Sequence, residues 1–348
     1  MALINSTLKS KNAPLTLDKL HLKSENRSRI NQLIEEFNYI DALNNLNIPV
    51  DNKILLHGHT GCGKTATAHA IGIELNKKVI TLNLSGFVSS RLGETAKNLS
   101  DIFKSASNDK AILFIDEFDF IGKIRDYDNK DSGEIKRLVN ALIQQIDNLS
   151  GTSLLICATN HIDIIDSALL RRFQIKLEYQ LPTKEALDAY YDTLLASFPK
   201  NLNTINRSYG ISFAEAKDRT YQQIKAHVIK LEKQRKHLLF SYGSLKSKQV
   251  QLEHFGRELK GTADSLSGYK LTDLEIKDTT VIKIDKTDIL SIASKSREVT
   301  DKIEGLVLEI TGEELVQIDK FGLSNYKRIK ETTNSGAEVW VYVAHNSY

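Results

Sequence analysis

The 348-residue chain has few cysteines, little net charge and no long apolar run, and each shortage excludes a class of protein. Its two cysteines are too few for a disulfide framework and fit a reducing compartment. A formal net charge of +3 gives no electrostatic reason to expect nucleic acid as a partner. Neither a signal-peptide core nor a stretch of about 18 apolar residues, as a membrane span needs, occurs. We therefore expect a cytoplasmic protein with neither membrane nor nucleic-acid partners.

Two common kinds of catalytic constellation are also missing from the sequence. The nine histidines show no spacing typical of metal ligands. Serine, histidine and aspartate form no recognisable nucleophile-elbow pattern. These gaps direct attention to the apolar runs and the glycine-rich segment between them.

Short apolar runs alternate with helical patterns through the first half of the chain. The runs are KILLH, VITLNL, AILFID, SLLICAT and QIKLEY. Strands that alternate with crossover helices form a mainly parallel sheet covered on both faces. Helical periodicity also predicts one helix before the runs, over 28–37, and two after them, over 183–197 and 212–236. A basic run at 230–237 is interpreted as the solvated face of the last helix rather than as a nucleic-acid patch.

The glycine-rich segment GHTGCGKT at 58–65 fits the phosphate-loop pattern G-x-x-x-x-G-K-[ST], between a predicted strand and a predicted helix. Its glycines let the backbone wrap around phosphates, and the helix N-terminus adds favourable charge. Lys64 is expected to reach the β- and γ-phosphates, and the Thr65 hydroxyl to bind Mg²⁺. The predicted ATP-binding residues are Gly58, His59, Thr60, Gly61, Cys62, Gly63, Lys64, Thr65, Ala66 and Asp116.

The run AILFIDEFD at 111–119 supplies the next two site residues. Asp116 ends a buried strand beside the phosphate loop, so we expect it to hold the magnesium ion through water, with Thr65 as the other metal ligand. Glu117 is then placed to orient and deprotonate the attacking water. Both carboxylates are therefore assigned to ATP hydrolysis.

The segment at 153–173 supplies the remaining catalytic candidates. Asn160 follows another buried strand, where it can position the water or sense the γ-phosphate. Arg171 and Arg172 do not easily reach the phosphates of their own subunit, which favours a finger that enters a neighbouring subunit. The alternative is that the two arginines cap a helix C-terminus.

Together these motifs resemble the AAA branch of the AAA+ ATPases, over about residues 30–235. The resemblance implies an α/β nucleotide-binding core, a small helical lid and assembly into a homo-oligomeric ring, usually hexameric. Residues 209–215 stand where the lid of that family presents small residues to the nucleotide. The segment 89–95 corresponds to the first pore loop, in which Arg91 replaces the aromatic residue of most substrate-threading members.

After residue 238 the pattern changes to short alternating segments, typical of a separate, mostly β domain. YGSL at 242–245, the D-x-[FY]-x-x-x-x-Y-[KR]-R segment at 319–328 and a final W-V-Y-V strand resemble the γ-glutamylcyclotransferase-like (AIG2-like) family over 238–348. In that family the YGSL turn binds the γ-glutamyl group and a glutamate after D-x-[FY] is the acid/base that forms 5-oxoproline. Here Gly322 takes that place, and glycine cannot transfer a proton. The pocket residues implied by the resemblance are Tyr242, Gly243, Ser244, Leu245 and Gly322.

We therefore predict an α/β fold. It consists of an AAA+ P-loop parallel sheet core with a small helical lid, followed by a mostly β, α+β cyclotransferase-like domain. The predicted divisions are a helical segment (1–49), the nucleotide-binding core (50–182), the lid (183–237) and the cyclotransferase-like domain (238–348).

Three functions follow from this organisation. The chain is a ring ATPase that remodels a protein client, a regulatory or bacterial defence module that controls a separate effector such as a protease, or a cyclotransferase-type enzyme regulated by the ATPase. Loss of the general acid/base, which typically lowers a rate by about 10²- to 10⁴-fold, argues against the third. ATP and Mg²⁺ are the expected cofactors.

Overall fold

The computed structural model describes residues 15–84, 95–122, 132–275, 289–298, 300–321 and 326–345. Residues 89–94 of the predicted pore loop, with Arg91, and the position of Gly322 lie outside these ranges. The chain divides into two compact units, Met1–Gln222 and Gln223–Tyr348. The finer division into four segments stays a prediction.

The described part of the first unit contains a five-stranded sheet in which each pair of neighbouring strands is parallel. Its strands are β1 (Lys53–Gly58), β2 (Val79–Asn83), β3 (Ile112–Asp116), β4 (Leu154–Thr159) and β5 (Ile175–Tyr179). The strand order is β2-β3-β4-β1-β5. All five strands were predicted from their apolar runs, and the predicted parallel sheet is confirmed.

Helices cover both faces of this sheet. They are α1 (Ser24–Asn38), α2 (Ile40–Asn45), α3 (Lys64–Glu74), α4 (Thr95–Asn108), α5 (Ser132–Asp147) and α6 (Ser167–Leu170). The helices α7 (Lys184–Leu195) and α8 (Phe213–Gln234) form a separate apolar cluster, and α8 continues into the second unit. Leu55 of β1 joins one apolar core, whereas Leu56 joins the core on the other face. A strand buried on both faces explains why its sequence is a continuous apolar run rather than an alternating one.

The second unit contains a mixed sheet. Its described strands are β6 (Lys236–Ser241), β7 (Gly261–Ser267), β8 (Tyr269–Glu275), β9 (Ile289–Lys295), β10 (Lys302–Thr311), β11 (Tyr326–Thr332) and β12 (Glu338–Ala344). The order is β7-β10-β6-β12-β9-β8, and β11 pairs with β12. β12 is parallel to β6 and β9, whereas the other pairs are antiparallel. With α9 (Lys248–Phe255) and α10 (Gly312–Phe321), this unit agrees with the predicted α+β domain.

The predicted helix over 212–236 extends too far. Helix α8 ends at Gln234, and Lys236 already belongs to β6, where it pairs with Thr311. The backbone amide of Gly312 also donates to the carbonyl of Arg235, 2.8 Å away. Residues that the helical periodicity had assigned to the helix thus pair with β10 or hydrogen-bond beside it instead. The basic run at 230–237 is therefore divided between a helix end and a strand start.

In the parts of the chain that the structure describes, no helix combines the length and the apolar character that crossing a bilayer requires.

Candidate functional site

The loop between β1 and α3 is built from three glycines in left-handed backbone conformations. The φ angles of Gly58, Gly61 and Gly63 are 118°, 73° and 102°, values that side-chain-bearing residues rarely adopt. A Cβ atom on Gly58 would lie only 2.1 Å from the carbonyl oxygen of Tyr179. Glycine at this position therefore permits both the turn and the close approach of β5.

Lys64 begins α3 and folds its ammonium group back over the loop. Its Nζ donates to the carbonyl oxygens of Gly58 and His59 at 2.7 and 2.8 Å. Burial lowers the pKa of the Lys64 ammonium, and the negative charges of Asp116 and Asp119 act in the opposite direction. A phosphate offers this ammonium a stronger, charge-assisted partner than two neutral carbonyls. The loop therefore fits a nucleotide phosphate.

Thr65 and Asp116 meet although they are far apart in sequence. The Thr65 hydroxyl donates to Oδ2 of Asp116 across 3.2 Å, and both side chains border solvent. Hydroxyl and carboxylate oxygens are the hard ligands that Mg²⁺ prefers, usually with several waters retained. The pair fits a magnesium ion beside the loop phosphates.

Glu117 follows the end of β3 in a strained backbone conformation. Its φ of 53° is left-handed, and its amide donates to Oδ1 of Asp116 at 2.9 Å. A non-glycine residue in this region costs on the order of 1–3 kcal/mol, and such strain clusters at functional sites. The exposed Glu117 side chain is thus placed directly after the metal-ligating candidate.

Asp119 is a site residue that the sequence analysis missed. The residue is only 2% exposed. Its Oδ1 accepts a hydrogen bond from the Thr159 hydroxyl at 3.0 Å and another from the backbone amide of Asn160 at 3.3 Å. The loop after β3 is thereby tied to the loop after β4, and the Asn160 side chain remains exposed. The available signal was a second acid two residues after Glu117 within an apolar run.

The start of α8 and the residue before it contact the phosphate loop directly. The amide of Ala214 donates to the carbonyl of Gly61 at 3.1 Å, and a Cβ on Gly61 would lie 2.6 Å from Oγ of Ser212. Ser212 and Glu215 form a reciprocal capping box, in which the Glu215 carboxylate accepts from the Ser212 amide at 2.9 Å. The predicted lid segment at 209–215 is thus adjacent to the loop.

The two arginines of the 153–173 segment have different surroundings. The Arg171 side chain is exposed. Arg172 instead donates from its guanidinium to the Ala168 carbonyl at 2.7 Å and forms an ion pair with Asp147 at 3.3 Å. Arg172 is therefore held by contacts within its own subunit.

The C-terminal pocket candidates are positioned at the end of β6. The Tyr242 hydroxyl donates to the backbone carbonyl of Tyr342 at 2.6 Å, and Gly243, Ser244 and Leu245 follow in a turn. Asp319, the nearest acid to the position of Gly322 in sequence, accepts from the Tyr342 hydroxyl at 2.6 Å and lies 2.9 Å from the Arg328 guanidinium. The Asp319 carboxylate is thus already engaged.

Comparison with known proteins assigns families to both units. Residues 54–181 match the model of the ATPase family associated with various cellular activities (AAA), and residues 239–348 match that of the AIG2-like γ-glutamyl cyclotransferases. An uncharacterized AAA family ATPase of Sinorhizobium fredii is 32% identical over 68% of each chain. The chain belongs to the AAA family of ATPases. AAA membership supports ATP as the ligand of the phosphate loop and hydrolysis as its reaction.

Other AAA relatives match over smaller parts of their length. The 26S proteasome regulatory subunit 8 homolog of Schizosaccharomyces pombe is 36% identical over 42% of this chain and 38% of its own. The ATP-dependent zinc metalloprotease FtsH 1 of Alkaliphilus metalliredigens is 37% identical over 38% of this chain and 24% of its own. This chain thus spans only a minor part of these two AAA proteins.

We predict that Asp119→Ala lowers kcat for ATP hydrolysis by about 10- to 100-fold with a smaller change in KM, because Asn160 loses its positioning contact. Asp119→Asn keeps an acceptor oxygen and is expected to retain most of the activity. Steady-state kinetics of both variants, with the exposed Asp109→Ala as a control, tests this. An Asp119→Ala enzyme with wild-type kcat, or equal losses for Ala and Asn, would contradict the positioning role.

Proposed function

We propose that this protein hydrolyses Mg-ATP at the loop of residues 58–66 and, as a homo-oligomeric ring, uses the reaction to remodel a protein client. The observation that carries this proposal is the Thr65–Asp116 pair, 3.2 Å apart, next to the Lys64 ammonium. A hydroxyl and a cation at the phosphate loop, with a carboxylate beside them at the end of β3, are what phosphoryl transfer requires for positioning and charge neutralisation.

Each polar residue of the site has a distinct proposed task. Bound Mg²⁺, held by Thr65 and by Asp116 through water, would neutralise charge on the phosphate oxygens. Lys64 moves its hydrogen bonds from the loop carbonyls to the β- and γ-phosphates. Asn160, whose backbone amide is hydrogen-bonded to Asp119, orients the attacking water with its side chain. Glu117 accepts the proton from that water as the water oxygen bonds to the γ-phosphorus, while the bond from this phosphorus to the β,γ-bridging oxygen breaks and ADP leaves.

We further propose that Arg171 is the residue that acts on a neighbouring subunit. Its exposure supports this role, whereas the contacts of Arg172 with Asp147 and Ala168 support a role in holding the segment after α6. The initial hypothesis gave both arginines the same role in trans. The different surroundings of the two side chains favour different roles for Arg171 and Arg172.

A protein client, and a protease as partner, are supported by the relatives. One carries the name of a proteasome regulatory subunit and another that of an ATP-dependent metalloprotease. We therefore propose that the ring prepares or delivers a protein for a separate effector, of which a protease in a bacterial defence system is one example. The appended C-terminal unit is proposed to recruit the client or the effector.

The alternative, an active cyclotransferase, is disfavoured by Asp319. Its carboxylate accepts from Tyr342 and pairs with Arg328, so it is a poor substitute for the glutamate that Gly322 replaces. The Asp319 carboxylate would have to give up both of these partners to serve as a proton shuttle. We thus propose that the C-terminal unit binds rather than reacts.

We expect Glu117→Gln to keep ATP binding and to lower turnover by about 10²- to 10⁴-fold, because the amide cannot accept the proton. The replacement has the same shape, so the strained backbone at this position is unchanged. Phosphate release and nucleotide binding are measured on the wild type, on Glu117→Gln and on the exposed control Glu74→Gln. A Glu117→Gln enzyme with wild-type turnover would disprove Glu117 as the base. The same variant, tagged and supplied with Mg-ATP, is the trap with which a bound client is isolated from host lysate.

We expect Arg171→Ala to lower ATPase activity about 10³-fold or more, the usual effect of a lost arginine finger. Mixing Arg171→Ala with Lys64→Ala subunits is expected to restore activity, since mixed rings pair an intact nucleotide loop with an intact arginine. Neither variant alone does so. No rescue in the mixture would place Arg171 in cis.

The effect of Arg172→Ala on ATPase activity is expected to be the same as that of Asp147→Asn, because both changes remove the same ion pair. Rescue of Arg172→Ala by Lys64→Ala subunits would instead assign the role in trans to Arg172.

We predict no release of 5-oxoproline from a γ-glutamyl dipeptide, because Gly322 stands in place of the glutamate and the nearby Asp319 is engaged by Tyr342 and Arg328. Chromatographic detection of 5-oxoproline, with Gly322→Glu as the matched variant, measures this. Release by the unaltered chain would favour the cyclotransferase alternative.

A further inference from the structure

A cavity of about 320 Å³ lies in the C-terminal unit, at the starts of β6 and β12. Its polar lining comes from Arg235, Lys236, His237, Lys330 and Glu338, and the aromatic part from Trp340. A volume of this size is at the small end of ligand pockets, which span about 300–1,000 Å³. The cavity is therefore large enough for a small organic molecule.

The cavity is separate from the cyclotransferase-like pocket. That pocket is assigned to residues 242–245, which follow the last residue of β6, whereas the cavity is lined by residues at the first positions of the strand. Leu238, the last lining residue on this strand, is four residues before Tyr242. A strand rises about 3.3 Å per residue, so about 13 Å of β6 separates the two sites. Neither the ATPase site nor the cyclotransferase resemblance accounts for it.

The wall of the cavity is strongly basic. Three basic side chains, those of Arg235, Lys236 and Lys330, line it against one carboxylate, that of Glu338. The ion pairs of Arg235 with Glu232 and of Lys236 with Glu309 join exposed groups, and such pairs contribute little. A multiply charged anion in the cavity would therefore compete well for these cations.

The pKa of His237 is affected by the same basic side chains. Burial, and then the charges of Arg235, Arg328 and Lys330, lower the pKa of His237, whereas Glu232 opposes them. An anion bound beside this imidazole would offset the cations and raise its pKa. The lowered pKa of His237 is consistent with a cavity wall in which basic groups outnumber the single carboxylate of Glu338.

Trp340 gives the cavity a fixed flat wall. One part of the side chain packs against the apolar cluster of Leu239 and Leu308. Lys330 faces Trp340 directly across the β11–β12 pair, with its Nζ 5.2 Å from the ring centroid. The guanidinium of Arg328, 4.6 Å from the same centroid, also contacts the ring. Packing and cations hold the indole in place, so a ligand meets an aromatic surface that is already ordered.

We propose that this cavity binds a small phosphorylated ligand with a planar ring, of the nucleoside monophosphate class. The phosphate contacts Arg235, Lys236 and Lys330, which suit a multiply charged oxyanion. The ligand ring takes the place of the Lys330 ammonium over Trp340 when that ammonium turns to the phosphate, and it stacks as bases do on aromatic side chains. The Glu338 carboxylate is an acceptor for an amino group on that ring. The site is independent of the ATP hydrolysis proposed above.

Trp340 also makes the test specific, because it is the single tryptophan of the chain. Adenosine 5′-monophosphate is titrated into the full-length protein while indole fluorescence is excited at a wavelength that the nucleotide does not absorb. We expect a saturable change in emission, confirmed by calorimetry. Inorganic pyrophosphate, which has the charge but no ring, is expected to bind about tenfold more weakly or worse, since stacking is lost.

Matched variants locate the binding. Lys330→Gln is expected to weaken AMP binding by about tenfold, because a charge-assisted contact is removed. Lys270→Gln, an exposed lysine on β8 that does not line the cavity, is expected to bind as the wild type does. Lys64→Ala disables the phosphate loop, and its Trp340 titration is expected to be unchanged. Thermal unfolding midpoints establish that each variant is folded.

Three results would overturn the proposal. The first is the absence of saturable binding at millimolar AMP. The second is equal affinity of Lys330→Gln and Lys270→Gln, which would place the ligand elsewhere. The third is pyrophosphate binding as tight as that of AMP, which would show that the ring makes no contribution.

Discussion

The register of three parallel strands is the constraint on which the nucleotide site depends. Ile115 of β3 pairs with Cys157 of β4, and His57 of β1 pairs with Thr159. This register brings the ends of the strands to one edge of the sheet, where Asp116, Asn160 and the phosphate loop begin their loops. A slip of one residue would turn each side chain to the opposite face. Burial on both faces resists such a slip, because neighbouring positions such as Leu55 and Leu56 are already packed into different cores.

The strands of the first unit and the phosphate loop could both be predicted from the sequence, each for its own physical reason. Buried parallel strands are continuous apolar runs, and the loop needs glycine and lysine at fixed spacing for steric and electrostatic reasons. In the second unit, the alternating pattern after residue 238 predicted a mostly β domain but did not locate the strands β7, β9 and β11. They carry many polar residues, and their pairing is set by neighbours distant in the sequence rather than by a local pattern.

Contacts between distant residues account for the other gaps. Asp119 became visible only when the loops after β3 and β4 were seen to meet, since its partners Thr159 and Asn160 are about 40 residues away. The different surroundings of Arg171 and Arg172 depend on Asp147, which lies on another helix. The end of α8 depends on the pairing of β6 with β10. In each case an identifiable residue type was present, but the partner that defined its role was not local.

The hydrogen bond between Ala214 and Gly61 joins two backbone groups, and no side chain takes part in it. Mutations at the start of α8 can therefore replace exposed side chains without breaking this link to the phosphate loop. The sequence of this turn is open to evolutionary change, while its backbone attachment to the nucleotide site is inherited intact.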